Sequence, residues 1–513
     1  MGNRAKLLLF SHVCNTRSIT GAEKLLLLLC QKLSTYFDCV LAAPQEGQLT
    51  KRARQIGIRT RIHAYPLLHE MYTPSANLYT DAERLRSGPG LKKLAEMIRA
   101  EQPDLVLVNT CVNVLPAMAA SSLGIPVVWN ITESITINEY TPLAVGLIDK
   151  YSTWITGISE SAVTVFQGTA AAPKVGILFP SWDPASVHPQ QWEQIREGKR
   201  SELGLRPDHR VIGYISSFLT KEKGLEHFID MALSICNSDK SVHFLVIGRI
   251  IDQDFYARCL SKVNVSAYKD RFTFVVFEES VEAAYSAMDI VVVPSLVPEG
   301  FGLTALEAMI YGKPVVAYAS GGLQEILETA GCGYLLAEPG NVHELAGRVQ
   351  LLLGDSVLAA GTAAMNLQRV NEAYGPQTYE ERLRQLLVQW SLQHPELIRL
   401  EEDTRGLRCI PVKPAAAEAA GPNRAGDGHS KHSAKSIRRH RKRKRSRPGH
   451  NRRHEGKSRI LRAKRRRAAL RETPRRKSKA GRSAKAADHK RSRSRRRSLS
   501  GAHKHRKRSR KTA

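Results

Sequence analysis

Two carboxylates eight positions apart, Glu299 and Glu307, bracket the segment most able to do chemistry. The segment reads Pro294-Ser-Leu-Val-Pro-Glu-Gly-Phe-Gly-Leu-Thr-Ala-Leu-Glu-Ala-Met-Ile-Tyr-Gly-Lys, followed by Pro314-Val-Val-Ala-Tyr. It leaves an apolar strand, passes through Glu299-Gly300-Phe301-Gly302 and enters a helix near Leu303. The amides of Phe301, Gly302 and Leu303 then lie at a helix N-terminus, where free N–H groups and the helix dipole favour an anion. The two glycines let the backbone approach a phosphate closely. Amides for a diphosphate, with a carboxylate on each side for hydroxyls, suit a nucleotide-sugar.

Such a site needs strands and helices to carry it. Residues 5–180 alternate short apolar runs with helical patterns; strands are expected at 6–13, 38–43, 59–64, 104–109, 126–131, 154–158 and 175–178. The theme repeats over 210–355, with strands at 210–215, 242–247, 272–277, 290–294, 314–318 and 333–336 and helices at 225–235, 281–288, 302–311 and 342–353. Most of these runs are continuously hydrophobic, as in parallel strands covered on both faces. The fold expected is α/β, two Rossmann-like doubly wound domains in tandem. The first spans 1–185 and the second 186–392 with a final helix at 377–392; a hinge is expected near 181–197, and 72–89 reads as a polar loop. Residues 393–422 read as a linker.

The run from strand through Glu-Gly-Phe-Gly, Leu-Glu-Ala-Met, Gly-Lys-Pro-Val-Val-Ala, Gly321-Gly322 and Glu325-Ile326 resembles the E-x7-E region of the GT-B retaining glycosyltransferases of family 4. The resemblance covers roughly residues 1–392. It implies that Glu299 holds hydroxyls of the donor sugar, that Glu307 holds the ribose, and that the stretch Gly300, Phe301, Gly302 and Leu303 takes the distal phosphate. Lys221-Glu-Lys-Gly224 resembles the family's Gly-Arg…Lys-Gly segment, whose two cations neutralise the diphosphate. Lys223 fits the lysine; Phe218 stands where arginine is usual and Ser217 where glycine is usual, which leaves Lys221 as the nearest second cation or as an ordinary solvated lysine. Thr20-Gly21-Ala-Glu-Lys24 resembles the Gly-Gly-Ala-Glu loop that closes over the diphosphate from the first domain, with Gly21 kept and Thr20 replacing the preceding glycine. In Trp129-Asn-Ile-Thr-Glu133, Thr132 occupies the family's histidine position, so Thr132, Glu133 and Asn130 are acceptor-side candidates, Glu133 alternatively a helix cap.

The implied reaction retains anomeric configuration and needs a UDP-sugar or GDP-sugar donor, a glycan or lipid-linked acceptor hydroxyl, no enzymic nucleophile and no metal. Asp252-Gln-Asp254 has the spacing of a metal motif but falls at a helix start, where Asp is a common cap. His450 and His454 lie among arginines, which disfavours a cation there.

Composition sets the remaining bounds. The chain has 513 residues and a formal charge of +30, but residues 421–513 hold 39 Lys and Arg against 4 Asp and Glu, so the rest is mildly acidic. A protein basic throughout, such as a compact DNA-binding fold, is disfavoured. The segment 423–513 has almost no large apolar side chains and is expected to be a disordered tail. Such a tail binds polyanions: anionic polymer, a membrane surface or nucleic acid. Its Arg-Ser repeats loosely resemble basic spore-coat segments, so a non-catalytic polyanion-binding or coat protein on this fold is the alternative reading. Eight cysteines without a C-x-x-C, no apolar run of about 18 residues and no signal-peptide pattern point to a reducing cytoplasm, at the inner membrane face or the spore surface where the tail tethers it.

Overall fold

The computed structural model describes residues 4–403 and 406–412; the expected tail, and the linker outside 393–403 and 406–412, lie beyond the described residues. Within them the chain forms two parallel sheets. The first runs β3-β2-β1-β4-β5-β6-β7, from β1 (Lys6–Phe10), β2 (Asp38–Ala43), β3 (Arg59–Ile62), β4 (Leu105–Asn109), β5 (Val127–Ile131), β6 (Trp154–Gly157) and β7 (Val175–Ile177). The second runs β10-β9-β8-β11-β12-β13, from β8 (Arg210–Leu219), β9 (Val242–Ile250), β10 (Phe272–Val275), β11 (Ile290–Val293), β12 (Val315–Tyr318) and β13 (Leu336–Ala337). Central strands such as Leu105–Asn109 and Val127–Ile131 are buried along their whole length, which explains their unbroken apolar runs.

Both sheets change winding direction once, between β1 and β4 and between β8 and β11. Ligand sites in open α/β sheets form at the carboxyl ends of strands beside such switch points. Three segments leave these places: the loop from β1 into helix Gly21–Leu33, the turn from β8 into helix Leu225–Cys236, and the loop from β11 into helix Leu303–Ile310.

The Gly21–Leu33 helix starts at a capping box in which Thr20 accepts from the Glu23 amide and Glu23 answers the Thr20 amide. It then buries Leu26, Leu28, Leu29 and Leu33 and so belongs to the core. The buried Glu23 carboxylate accepts four hydrogen bonds of 2.8 Å, from the backbone and side chain of both Asn15 and Thr20. That set fixes the loop leading into the helix.

Three expectations change. Residues 72–89 contain a helix, Leu78–Ser87, because Leu78 and Ala82 at i and i+4 give it a buried face. Residues 398–411 are not a linker: Ile398–Asp403 and Gly406–Pro411 pair as the antiparallel hairpin β14–β15. Its Cys409 is fully buried, donating to the Tyr36 carbonyl at 3.0 Å and accepting from the Ala5 amide at 2.8 Å. Pro395, Pro411 and Pro414 make this stretch read as a break, but Leu400, Leu407 and Cys409 alternate with polar residues as strands do. The final helix, Pro376–Gln393, packs its Tyr379, Leu383, Leu386, Leu387 and Trp390 into the first domain's core, although it follows the second domain in sequence. Trp390 stacks on Trp154 at 5.5 Å. Smaller differences concern strand ends: β8 runs on to Leu219 through an irregularity between Ile215 and Phe218, and Gly333–Leu335 is a 3-10 turn before a two-residue β13.

Candidate functional site

Glu299 lies in the loop after β11. Its carbonyl accepts the Gly322 amide at 2.8 Å, which ties the loop to the start of the next helix. Its Oε1 accepts from Lys223 Nζ at 2.6 Å. Lys223 comes from the turn after β8, so two strand ends beside the switch point meet in this pair.

Phe301 anchors the loop: its ring is buried and meets Tyr374 edge-on at 5.2 Å. Gly302 follows at φ +96°, a left-handed N-cap that a side chain would strain. The helix then begins at Leu303, leaving the first-turn N–H groups of Leu303 and Thr304 without helical partners. One turn further, Glu307 Oε1 accepts from Lys24 Nζ at 2.8 Å and Oε2 accepts from the Tyr285 hydroxyl at 3.2 Å. Burial first, and the Glu307 charge second, push the Tyr285 phenol well above its usual range, so it stays a donor.

These groups line two cavities that share the walls Ile215–Phe218 and Thr304. One, ≈ 370 Å³, is lined by Gly21, Thr132, Lys223 and the loop Glu299, Gly300, Phe301, Gly302, Leu303. The other, ≈ 320 Å³, is lined by Arg17, Lys24, Arg52, Arg249, Phe277 and Glu307. Gly21 opens its helix directly opposite Leu303; a Cβ there would lie 3.0 Å from Leu303 Cδ1. Two helix N-termini thus face each other across the larger cavity, with the Lys223–Glu299 pair beside them. The arrangement can take a diphosphate between the amides and present carboxylates to hydroxyls on either side.

The first domain touches the Glu299–Phe301 loop directly. Ser134 Oγ donates to the Glu299 carbonyl at 3.2 Å, and Ser159 Oγ donates to the Gly300 carbonyl. Gly300 lies so close to Thr132 that a Cβ would be 2.4 Å from the Thr132 carbonyl oxygen. Glu325 of the second domain accepts the Glu160 and Ser161 amides at 3.3 and 3.2 Å, at the start of helix Glu160–Val163. Burial holds that carboxyl above its ordinary range, with the two amides opposing.

Most residues singled out from the sequence therefore come together; three do not. Lys221 is exposed in the turn before helix Leu225–Cys236 and lines neither cavity. Glu133 also lines neither: its oxygens accept Thr132 Oγ1 at 2.6 Å and the Cys111 amide at 3.2 Å. Burial pushes its carboxyl upward against those bonds, and its evident effect is to orient Thr132. Asn130 is buried and donates to Asn109 Oδ1 at 2.7 Å. Asp252 caps helix Gln253–Asn264 by accepting from the Phe255 amide at 2.9 Å, as its position suggested. Sequence reasoning passed over Lys24, Tyr285, Ser134, Ser159 and Arg249. Only Lys24 carried a signal, as the residue one turn into the helix that Thr20 caps.

Residues 209–355 match the family described as Glycosyl transferases group 1. The 2-deoxystreptamine glucosyltransferase of Streptomyces kanamyceticus is 31% identical over 208 residues, 39% of this chain and 51% of that protein. Spore coat protein SA of Bacillus subtilis is 25% identical over 223 residues, 42% of this chain and 58% of that protein. The chain spans about half the length of the curated relatives it matches. Among solved structures, Anabaena Alr3699/HepE in complex with UDP and glucose shares the fold with a TM-score of 0.61 at 21% identity, covering 75% of this chain and 99% of that one. The catalytic domain of Arabidopsis thaliana Starch Synthase IV, bound to ADP and acarbose, gives 0.56 at 13%, covering 76% and 99%. The two doubly wound sheets have the GT-B arrangement, and residues 209–355 are similar to the glycosyl transferases group 1 family.

Proposed function

We propose that this protein is a glycosyltransferase that moves a sugar from a nucleotide-sugar to a hydroxyl of a glycan or lipid-linked acceptor, with retention. The observation that carries the reading is the convergence of Lys223, Glu299, the start of helix Leu303–Ile310 and Glu307 along one cleft. Glu299 accepts from hydroxyls of the donor sugar and Glu307 from those of the ribose. The amides from Gly300 to Leu303, with Lys223, hold the diphosphate. Alr3699/HepE is known in complex with UDP-glucose, which supports a UDP-sugar as the first donor to test, with a GDP-sugar as the second.

The bond from the anomeric carbon to the diphosphate breaks with its electron pair going to the departing oxygen. Lys223 and the helix amides stabilise that charge as it forms. The acceptor oxygen bonds to the anomeric carbon on the same face, and its proton passes to the departing phosphate oxygen. Thr132, oriented by Glu133, stands on the acceptor side. The first domain closes the cleft through Thr132, Ser134 and Ser159, which meet the Glu299–Gly300 loop, excluding the water that would otherwise hydrolyse the donor. The basic segment after residue 422 tethers the enzyme to an anionic surface or polymer.

The test is a thermal shift of the full chain against UDP, GDP, ADP and their sugars, then transfer assays with Glu299→Ala and Glu307→Ala. A nucleotide at about 100-fold its Kd adds roughly 2.7 kcal/mol of stability. One nucleotide should raise Tm, and Glu307→Ala should abolish the shift. Full sugar transfer by either variant would overturn the assignment.

A further inference from the structure

We propose that Arg249 supplies the second positive charge for the phosphates of the nucleotide, an inference that rests on the nucleotide-sugar reading above. The argument starts from which charges in the cleft are already committed. Of the second-domain side chains lining the two cavities, two are cations, Lys223 and Arg249. Lys223 is bound to Glu299, and Lys24, reaching in from the first domain, is bound to Glu307. Glu278 is bound to Lys199. Glu299, Glu307 and Glu278 are thus each engaged by a lysine, while the ligand must bring two anionic phosphates.

Arg249 is the uncommitted cation on the second-domain wall; Arg17 and Arg52 reach the same cavity from the first domain. Arg249 forms no ion pair among the described residues, and its guanidinium lies over the half-exposed Phe277 ring, 5.0 Å from the centroid. Stacking of this kind fixes the plane of a guanidinium while leaving its in-plane N–H donors free for a bidentate phosphate contact. Its place in the sheet adds a second reason. After the irregularity in β8, Phe218 pairs in register with Arg249 of β9. Both line the cavity that also contains Glu307, and Ser217 and Phe218 continue into the one that contains Lys223. Phe218 cannot neutralise a phosphate, and Lys221 lines neither cavity; the charge comes from the neighbouring strand instead.

The test is calorimetric titration of the full chain and of Arg249→Ala and Arg249→Lys with UDP, GDP and ADP, followed by the monophosphate and nucleoside of whichever base binds. Unliganded melting curves establish that the variants fold. The expected result is a loss of about 10- to 100-fold in diphosphate affinity for Arg249→Ala, the size of a lost charge-assisted pair. The nucleoside should bind both proteins equally, and Arg249→Lys should recover part of the loss. The wild type should also lose affinity with added NaCl more steeply than Arg249→Ala; the basic tail, common to both, cancels in that comparison. Equal losses for nucleoside and diphosphate would place the guanidinium on the base and overturn the proposal, as would unchanged diphosphate binding. A wild type that binds none of the three nucleotides would instead overturn the nucleotide-sugar reading itself.

Discussion

Replacing Gly300 with alanine should separate binding from turnover. The glycine is not in the left-handed region, so alanine is allowed by the local backbone. The obstacle lies across the cleft: the new Cβ would be 2.4 Å from the Thr132 carbonyl oxygen, 3.0 Å from its carbon and 3.1 Å from Glu133 Cα. All three are backbone atoms and cannot rotate aside. A carbon–oxygen contact needs about 3.3 Å, so the two walls must part by roughly 1 Å. The bonds from Ser134 and Ser159 to the Glu299 and Gly300 carbonyls stretch with them. A displacement of that size at a reacting centre costs about 100-fold in rate. Nucleotide affinity should change by less than about threefold, because Lys223, Glu299, Glu307 and the helix amides stay together on the second domain. The assay pairs calorimetric titration of the nucleotide with initial rates on a donor and acceptor the wild type turns over. A variant within twofold of the wild-type rate would show that close apposition of Gly300 and Thr132 is not needed for turnover. Parallel collapse of Tm and nucleotide affinity would show that the loop is distorted and the reasoning about separation mistaken.

Other expectations concern stability. Trp390→Ala removes a buried ring stacked on Trp154 and should cost about 3–5 kcal/mol in urea unfolding, whereas Leu392→Ala, on the same helix and 77% exposed, should stay within about 0.5 kcal/mol of wild type. Equal effects would mean that the last helix is not part of the first domain's core. His243, 6% exposed, is held neutral, its pKa lowered to about 4 by burial and secondarily by the neighbouring His209. Below pH 6.5 the unfolded chain takes up a proton that the folded chain refuses until about pH 4, so stability falls as pH drops through that window. Between pH 7 and pH 5 this one group should remove about 2 kcal/mol, and His243→Gln should lack that component. Identical pH dependence of the two proteins would refute the assignment.

How much of this was legible in the sequence depended on the range over which each feature is determined. The strands were, because burial on both faces leaves continuous runs such as Leu105–Asn109 and Val127–Ile131. The start of helix Leu303–Ile310 was, because a glycine N-cap and a following apolar face are set within one turn. The hairpin β14–β15 was hidden by flanking prolines, and the docking of helix Pro376–Gln393 depends on a surface built by residues far earlier in the chain. The same holds for contacts across the cleft: Lys24 and Glu307 are 283 positions apart, and Ser134 and Glu299 are 165. No local pattern specifies such pairs.

Two acidic residues of the first-domain motifs show how a carboxylate can be engaged by its own loop while its neighbour faces the cleft. Glu133 was an acceptor-side candidate and Glu23 lies in the Thr20–Lys24 motif; both are engaged by nearby backbone and side-chain donors. Glu23 accepts four bonds from Asn15 and Thr20, and Glu133 is held by Thr132 and the Cys111 amide. A buried carboxylate must be satisfied by several donors, and a tight loop is the nearest supply of them. The groups that reach the cleft are their neighbours, Lys24 and Thr132, which the loops hold in place. Arg249 follows the same logic one strand over: β8 and β9 lie side by side, so a charge missing at Phe218 can be restored at its register partner without disturbing the sheet. Neighbouring positions along a loop or across a ladder can exchange which side chain reaches the cleft while the backbone that presents them stays the same.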